Sequence, residues 1–299
     1  MTSLAIRVPS IDDADEVAAL INAHAIAVRG EPNLSAQTVR EWLAEPSIDI
    51  RIVYDGDDPA CYGDMMVAPS GTRAHLDIRE HPSHPGAAHM LLDAFEAEAA
   101  RRGATECRAY SDPAETAYVA LLQARGYQAI RSSFEMLVRL PDPPAAAPVP
   151  AGLAIRTREP GQERLMYEAS TDSFVDHWSF EPRPYDEWAR AYIESATADA
   201  SLQFLAWDGA DVAGVCLCAP HQSAQPGFGW VEVLGVRPPW RRRGLALALL
   251  THAFEEFRMR GFDRVGLGVD GESTTGALEL YERAGMRVDK QQVTFERTL

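Results

Sequence analysis

The chain has 299 residues, 46% of them hydrophobic and 24% charged, and a formal net charge of −16. That length suits two domains of ordinary size, each able to bury a core of its own. The acidic balance argues against nucleic acid as a partner and suits a cationic acceptor such as an amine, and no apolar run reaches the ~18 residues a membrane span needs.

The first seven residues lack the apolar core of a signal peptide, so a cytoplasmic protein is expected. Cys61, Cys107, Cys216 and Cys218 lack metal-ligand spacing. They read as buried free thiols in a reducing compartment, and no metal is expected.

In chain order the first signal is Leu4-Ala5-Ile6-Arg7, a short strand that recurs as Leu153-Ala154-Ile155-Arg156. The rest follows in step. Residues 78–92 align with 236–250, which sets Gly86 on Gly244, Ala88 on Ala246, and Leu91-Leu92 on Leu249-Leu250. Gly126-Tyr127 falls on Gly285-Met286, and Ser133-Phe134-Glu135 resembles Thr294-Phe295-Glu296. Between the copies runs a Pro/Ala stretch, Pro141 to Pro150, of semi-rigid character. The period is a whole domain, so the chain reads as a tandem duplication. The expected domains are 1–140 and 152–299, with 141–151 as linker.

The second copy carries the clearer pattern. Apolar alternation predicts strands at 153–157, 202–207, 212–219, 228–236, 263–269 and 289–297. Spacing of 3.6 residues predicts helices at 162–175, 184–195, 245–260 and 275–284. Neighbouring strands followed by a strand–helix–strand crossover imply an α/β fold: a mixed sheet flanked by helices.

The strand ending at Val236 runs into Arg241-Arg242-Arg243-Gly244, and the helix opens Leu245-Ala246-Leu247. A helix start offers unpaired N–H groups and partial positive charge, and the arginines add to it. Such a loop suits a pyrophosphate. Downstream, Leu280-Tyr281 and Gly285-Met286 lie on the last helix and at its end.

These two segments together resemble the GNAT superfamily of N-acetyltransferases. Arg241, Gly244 and Ala246 meet the family's loop pattern, and Ala277, Leu280-Tyr281 and Gly285-Met286 its second motif. The family's asparagine falls near Ser273 or Thr274, where this chain departs. The resemblance implies two tandem domains, each with a mostly antiparallel mixed sheet splayed between its fourth and fifth strands. It implies acetyl-CoA as acetyl donor. Arg241, Arg242, Arg243, Gly244, Leu245, Ala246 and Leu247 would then face the pyrophosphate. Leu234, Gly235 and Val236 would pair with the pantetheine arm, and Ser273 would lie beside the cofactor.

Within that resemblance Tyr281 is the expected proton donor to the leaving thiolate. Glu232 shares a strand face with Leu234 and Val236 by alternation and is the expected base; a strand glutamate turned to solvent is the other reading. His221 is a reserve base. Asp176, His177 and Trp178 lie in an aromatic segment between two helices and are the expected acceptor contacts.

The first copy has Ser83 for Arg241, Pro85 for Arg243 and Leu122 for Tyr281. It therefore reads as a degenerate copy before an active one. That plan is similar to a tandem branch of the family that acetylates the cysteinyl amine of a thiol-sugar precursor. The expected function is acetyl transfer to a small-molecule primary amine by direct attack in a ternary complex. A protein lysine acetyltransferase and a non-catalytic acyl-CoA-binding protein are the competing readings, and a homodimer is left open.

Overall fold

The computed structural model describes residues 4–140, 146–178, 180–195, 197–221, 225–273 and 275–299. The first part of the linker and Thr274 lie outside these. Two compact units emerge.

The first unit contains residues 4–132 and the C-terminal segment Gln291–Leu299. Its elements are β1 (Leu4–Arg7), α1 (Ala14–Arg29), α2 (Ala36–Ala44), β2 (Asp49–Asp55), β3 (Asp58–Val67), β4 (Arg73–Glu80), α3 (Ala88–Arg101), β5 (Glu106–Ser111) and α4 (Thr116–Ala124). β6 (Gln128–Arg139) begins here and continues into the second unit. The second unit holds β7 (Leu153–Thr157), α5 (Glu163–Ser173), α6 (Tyr185–Tyr192), β8 (Gln203–Asp208), β9 (Asp211–Pro220), β10 (Phe228–Val236), α7 (Leu245–Met259), β11 (Arg264–Asp270) and α8 (Ala277–Arg283). The last strand, β12 (Arg287–Thr298), starts in the second unit and ends in the first. No helix among the described residues is long and apolar enough to cross a membrane.

Each unit has a six-stranded mixed sheet. In the first the order is β1-β2-β3-β4-β5-β12, and in the second β7-β8-β9-β10-β11-β6. Only β4–β5 and β10–β11 run parallel; the other pairs within each unit are antiparallel. The elements of the second copy fall where the sequence pattern puts them. α5 and α6 stop short of the expected 175 and 195.

The units do not divide at 140 and 152 as the repeat implies, because the last strands are exchanged. Residues 133–139 of β6 pair with β11, and Val293–Thr298 of β12 pair with β5. Each fifth strand thus has its outer edge covered by a strand from the other sequence copy. The register also shifts the likeness between these strands. Met136 lies opposite Leu267 and Phe295 opposite Ala109. The two strand ends therefore correspond two residues away from the match of Ser133-Phe134-Glu135 with Thr294-Phe295-Glu296.

The second unit has a core on each face of its sheet. On one, Phe254, Phe257 and Leu249 of α7 pack with Met136, Val231, Leu267 and Tyr281. On the other, Met166 and Ala169 of α5 and Trp188 of α6 pack on Leu205, Val215 and Val233. Val231 and Val233 are two residues apart yet face opposite cores. The cause is a β-bulge: Val231 pairs with Cys218 and Val233 with Leu217, leaving Glu232 as the extra residue. The alternation expected across Glu232, Leu234 and Val236 is therefore interrupted at Glu232.

Gly235 lies just past this bulge. A Cβ there would sit 2.6 Å from Ser173 Cβ, so α5 packs directly on strand backbone. Gly235→Ala is expected to lower unfolding free energy by about 1–3 kcal/mol, as overpacking does in close-packed cores. Urea denaturation would measure it; an unchanged midpoint would show that α5 does not sit this close.

Candidate active site

The parallel pairing of β10 with β11 runs from Phe228↔Arg264 to Val231↔Leu267 and then stops. β10 continues, paired to β9 alone, through Val236. One backbone edge of Glu232, Leu234, Gly235 and Val236 therefore has no strand partner in β11. The splay opens at the bulged residue.

Beyond Val236 the chain turns into α7. Three anchors hold the turn. Arg237 donates to Asp172 Oδ2 (2.7 and 3.0 Å). Trp240 Nε1 donates to Asp208 (2.8 Å). Arg241 donates to Val236 O (3.1 Å) and Ser173 O (3.2 Å) and forms an ion pair with Asp176. The guanidinium of Arg241, expected beside a pyrophosphate, thus ties the loop to β10 and α5. Asp176, expected against the acceptor, neutralises it.

Arg242 and Arg243 differ: both are exposed, and neither pairs with an acidic side chain among the described residues. Arg242 is the only non-glycine with left-handed backbone among the described residues (φ 62°), and Gly244 follows at φ 86°. Such strain is held by surroundings that over-determine it, here the three anchors. The turn delivers α7 with no side-chain cap. Of its first amides only Ala248 N–H is taken up, by Gly244 O (3.1 Å). The amides of Leu245, Ala246 and Leu247 stay available, and a Cβ at Gly244 would meet nothing within 4 Å. Backbone amides and two cations together make an arrangement able to hold an anion.

Tyr281 projects from α8 into the core beneath α7, 9% exposed. Its hydroxyl makes no hydrogen bond among the described residues. Burial, with Cys216 nearby, pushes its pKa up to about 12. The four cysteines are free and buried, and the Cys216 and Cys218 sulfurs lie 3.5 Å apart. Glu232 is half-buried, and loss of water pushes its carboxyl up to about 7. That value suits a base near neutral pH.

The other expected residues scatter. His177 lies against Phe174 (4.7 Å between rings), and Trp178 is 43% exposed. His221 stacks on Phe228 (4.1 Å) and meets Trp230 edge-on (5.0 Å), an aromatic packing position rather than a base's. Ser273 bonds to Thr275 (2.7 Å) in a local turn. One residue that sequence reasoning missed, Tyr192 of α6, stands near Glu232. Burial raises the phenol of Tyr192 on α6, Arg183 pulls it down, and Glu232 pushes it up. Nothing local in α6 pointed to the strand glutamate.

The first unit builds the same place differently. β4 has no bulge, and its pairing with β5 extends to Leu76↔Ala109. By the repeat, Ala109 matches Leu267, so each four-pair ladder ends at the same residue of its fifth strand, and the first unit reaches it without a bulge. At the start of α3, Glu80 Oε1 accepts from Ala88 N–H (2.9 Å), so a carboxylate of the chain itself sits on the helix N-terminus. Fully buried Leu122 stands where Tyr281 does.

The model of the acetyltransferase (GNAT) family matches residues 164–286. The chain is 32% identical over 265 residues to the mycothiol acetyltransferase of Thermomonospora curvata, covering 86% of this chain and 84% of that one. The corresponding protein of Streptomyces scabiei is 28% identical over 294 residues, covering 95% and 90%. Among solved structures, a GCN5-related N-acetyltransferase from Sphaerobacter thermophilus superposes with a TM-score of 0.81 at 31% identity, covering 99% of this chain and 95% of that one. A tandem GNAT protein from the clavulanic acid biosynthesis pathway shares the fold, with a TM-score of 0.75 at 16% identity and coverage of 99% and 98%. A splayed mixed sheet, a glycine-led helix start beneath it and full-length relatives agree: the chain belongs to the GNAT family and is a tandem N-acetyltransferase, an enzyme that transfers an acetyl group to an amine.

Proposed function

We propose that the second unit is the catalytic one and moves the acetyl group of acetyl-CoA to a small-molecule primary amine by direct attack within a ternary complex. One observation carries this: a free helix N-terminus, a desolvated carboxyl and a buried phenol flank a single splay. Arg242, Arg243 and the amides of Gly244 to Leu247 would hold the pyrophosphate. The unpaired edge of Leu234, Gly235 and Val236 would take the pantetheine amides, and an N–H on that edge would serve as oxyanion donor. Glu232 takes the proton of the attacking amine, directly or through one water. Tyr281 stays protonated through the working pH range and gives its phenolic proton to the departing sulfur. Arg241, Asp176 and Ser173 position the loop.

The relatives named mycothiol acetyltransferase support a more specific version, acetylation of a cysteinyl-glycoside amine. Cysteinyl-glucosamine is the simplest probe of it. A lysine side chain on a protein is the competing acceptor, and it predicts an acetylated partner protein rather than an acetylated metabolite. A cytoplasmic site of action goes with this reading, since acetyl-CoA and a reduced thiol are both available there. For the first unit, Glu80 on the α3 terminus, a β4 without a bulge and Leu122 support a role without turnover.

Calorimetric titration with acetyl-CoA is expected to give one site per chain. Arg241→Ala should weaken that site at least tenfold, by releasing the loop. A second site would show that the first unit binds as well.

Tyr281→Phe should lower kcat about a hundredfold and leave acetyl-CoA affinity within about twofold. Unchanged kcat would show that another group protonates the leaving thiolate, whereas acetyl-CoA binding without any turnover in wild type would favour the binding-protein alternative.

The Glu232 carboxyl must be ionised to act as base. Log kcat/KM should rise with pH through about 7 to a plateau, and Glu232→Gln should be slow and lack that limb. The same carboxyl links to stability. Its folded pKa lies above its unfolded value, so the stability it contributes is present below about 4.5 and lost as pH rises through about 7. Glu232→Gln should therefore melt higher than wild type at pH 8 and near it at pH 5. Equal melting at pH 8 would mean that the carboxyl is solvated.

A further inference from the structure

Six glycines lie inside strands: Gly63, Gly214, Gly229, Gly235, Gly266 and Gly268. Five have a packing reason. A Cβ would come within 2.5–2.7 Å of a neighbour: Phe95 at Gly63, Gly235 O at Gly214, Phe257 at Gly229, Ser173 at Gly235 and Trp230 at Gly266. Gly268 has none. Its backbone is not left-handed, and a Cβ there would meet nothing within 4 Å. A strand interior otherwise disfavours glycine, which marks places where a ligand or another backbone comes close.

The place itself is specific. Leu267 is the last residue of β11 paired to β10, so Gly268 is the first inside the splay, and it is exposed. Gly266 and Gly268 share the face of Phe228 and Trp230, whose rings lie over Gly266. This is the face opposite the α7 core. Across the antiparallel ladder Gly268 stands opposite Glu135 of β6, on the same face. The Glu135 side chain is 41% exposed and is held by Lys290 Nζ at 3.2 Å, itself 15% exposed. Lys290 is the only lysine in the chain.

The first unit provides an internal comparison. Gly103 and Gly261, each just past its helix, align at the same offset of the repeat as Gly86 and Gly244, and so set Tyr110 on Gly268 and Arg108 on Gly266. Both positions there are filled. Tyr110 stacks on His75 and hydrogen-bonds to it, and Arg108 pairs with Glu296 (2.7 Å). The same strand position thus carries a phenol in one unit and open space in the other.

We infer that Gly268 is the floor of the acceptor subsite and that Glu135, contributed by the exchanged strand and steadied by Lys290, sets its specificity. The inference rests on the reading of the second unit as catalytic. The open space lets an acceptor lie directly against the strand backbone at Gly268. The carboxylate of Glu135 accepts hydrogen bonds, so the favoured acceptor is a primary amine that carries further hydroxyl or amide donors. Glu135 acts on binding and position, away from the proton transfers.

The test uses the full chain, acetyl-CoA and two amines: cysteinyl-glucosamine, rich in donors, and n-butylamine, which has none beyond its amine. Product is followed by mass spectrometry. Gly268→Val should fold with an unchanged or higher melting temperature and bind acetyl-CoA within twofold of wild type. Its kcat/KM for cysteinyl-glucosamine should fall at least tenfold, mostly through KM. Glu135→Gln should raise KM for cysteinyl-glucosamine about tenfold and leave n-butylamine unaffected, with the pH profile unmoved. An unchanged KM in Gly268→Val overturns the inference, as does an equal effect of Glu135→Gln on both amines. If wild type binds acetyl-CoA but turns over neither amine, the catalytic reading falls. Binding of cysteinyl-glucosamine then judges the subsite, and equal or absent binding in wild type and Gly268→Val overturns it.

Discussion

One extra residue in β10 governs the second unit. A bulge at Glu232 turns the strand over, so that Val231 serves the α7 core and Val233 the α5 core. A flat parallel pair would continue its ladder, but here the ladder with β11 stops at the residue before the bulge. The parted strands leave backbone groups unpaired on an edge that would otherwise be buried. That is costly in a core and useful only where something else supplies the missing partners. The same turn carries a carboxyl into a place poor in water, which raises its pKa into the range of a working base.

The two copies show how one fold is switched between filled and open. In the first unit a carboxylate sits on the helix start, and a phenol fills the position of Gly268. In the second, each of those positions is left to backbone or to empty space. On the proposed reading, the two copies differ in who satisfies the polar groups, the chain or a ligand. The loop before α7 follows the same logic. Its inner arginines, Arg237 and Arg241, are spent on Asp172 and Asp176, which keeps Arg242 and Arg243 turned outward.

Much of this was legible in the sequence. The duplication, the element order of the second copy and the glycine-led helix start all rest on local spacing, and local spacing survives into the fold. What was not legible depends on partners distant in sequence. The guanidinium of Arg241 is captured by groups some 65 residues away, so its neighbours in the chain could not reveal its role. The bulge at Glu232 is a mismatch between two strands, and a single strand cannot show it. Gly268 looked like any strand glycine until the space above it could be compared with that at Gly266. The exchange of β6 and β12 left no trace in the repeat, because both copies end in a strand and chain order does not say which fifth strand it joins.

That exchange has a consequence for the history of the molecule. Once each half had come to rely on a strand from the other, neither could be deleted without baring the edge of a surviving fifth strand. On the proposed reading, a first copy relieved of chemistry can vary in its cleft, but its last strand remains tied to the fifth strand of the second. At the level of the sheet, the duplication cannot be undone by removing either half.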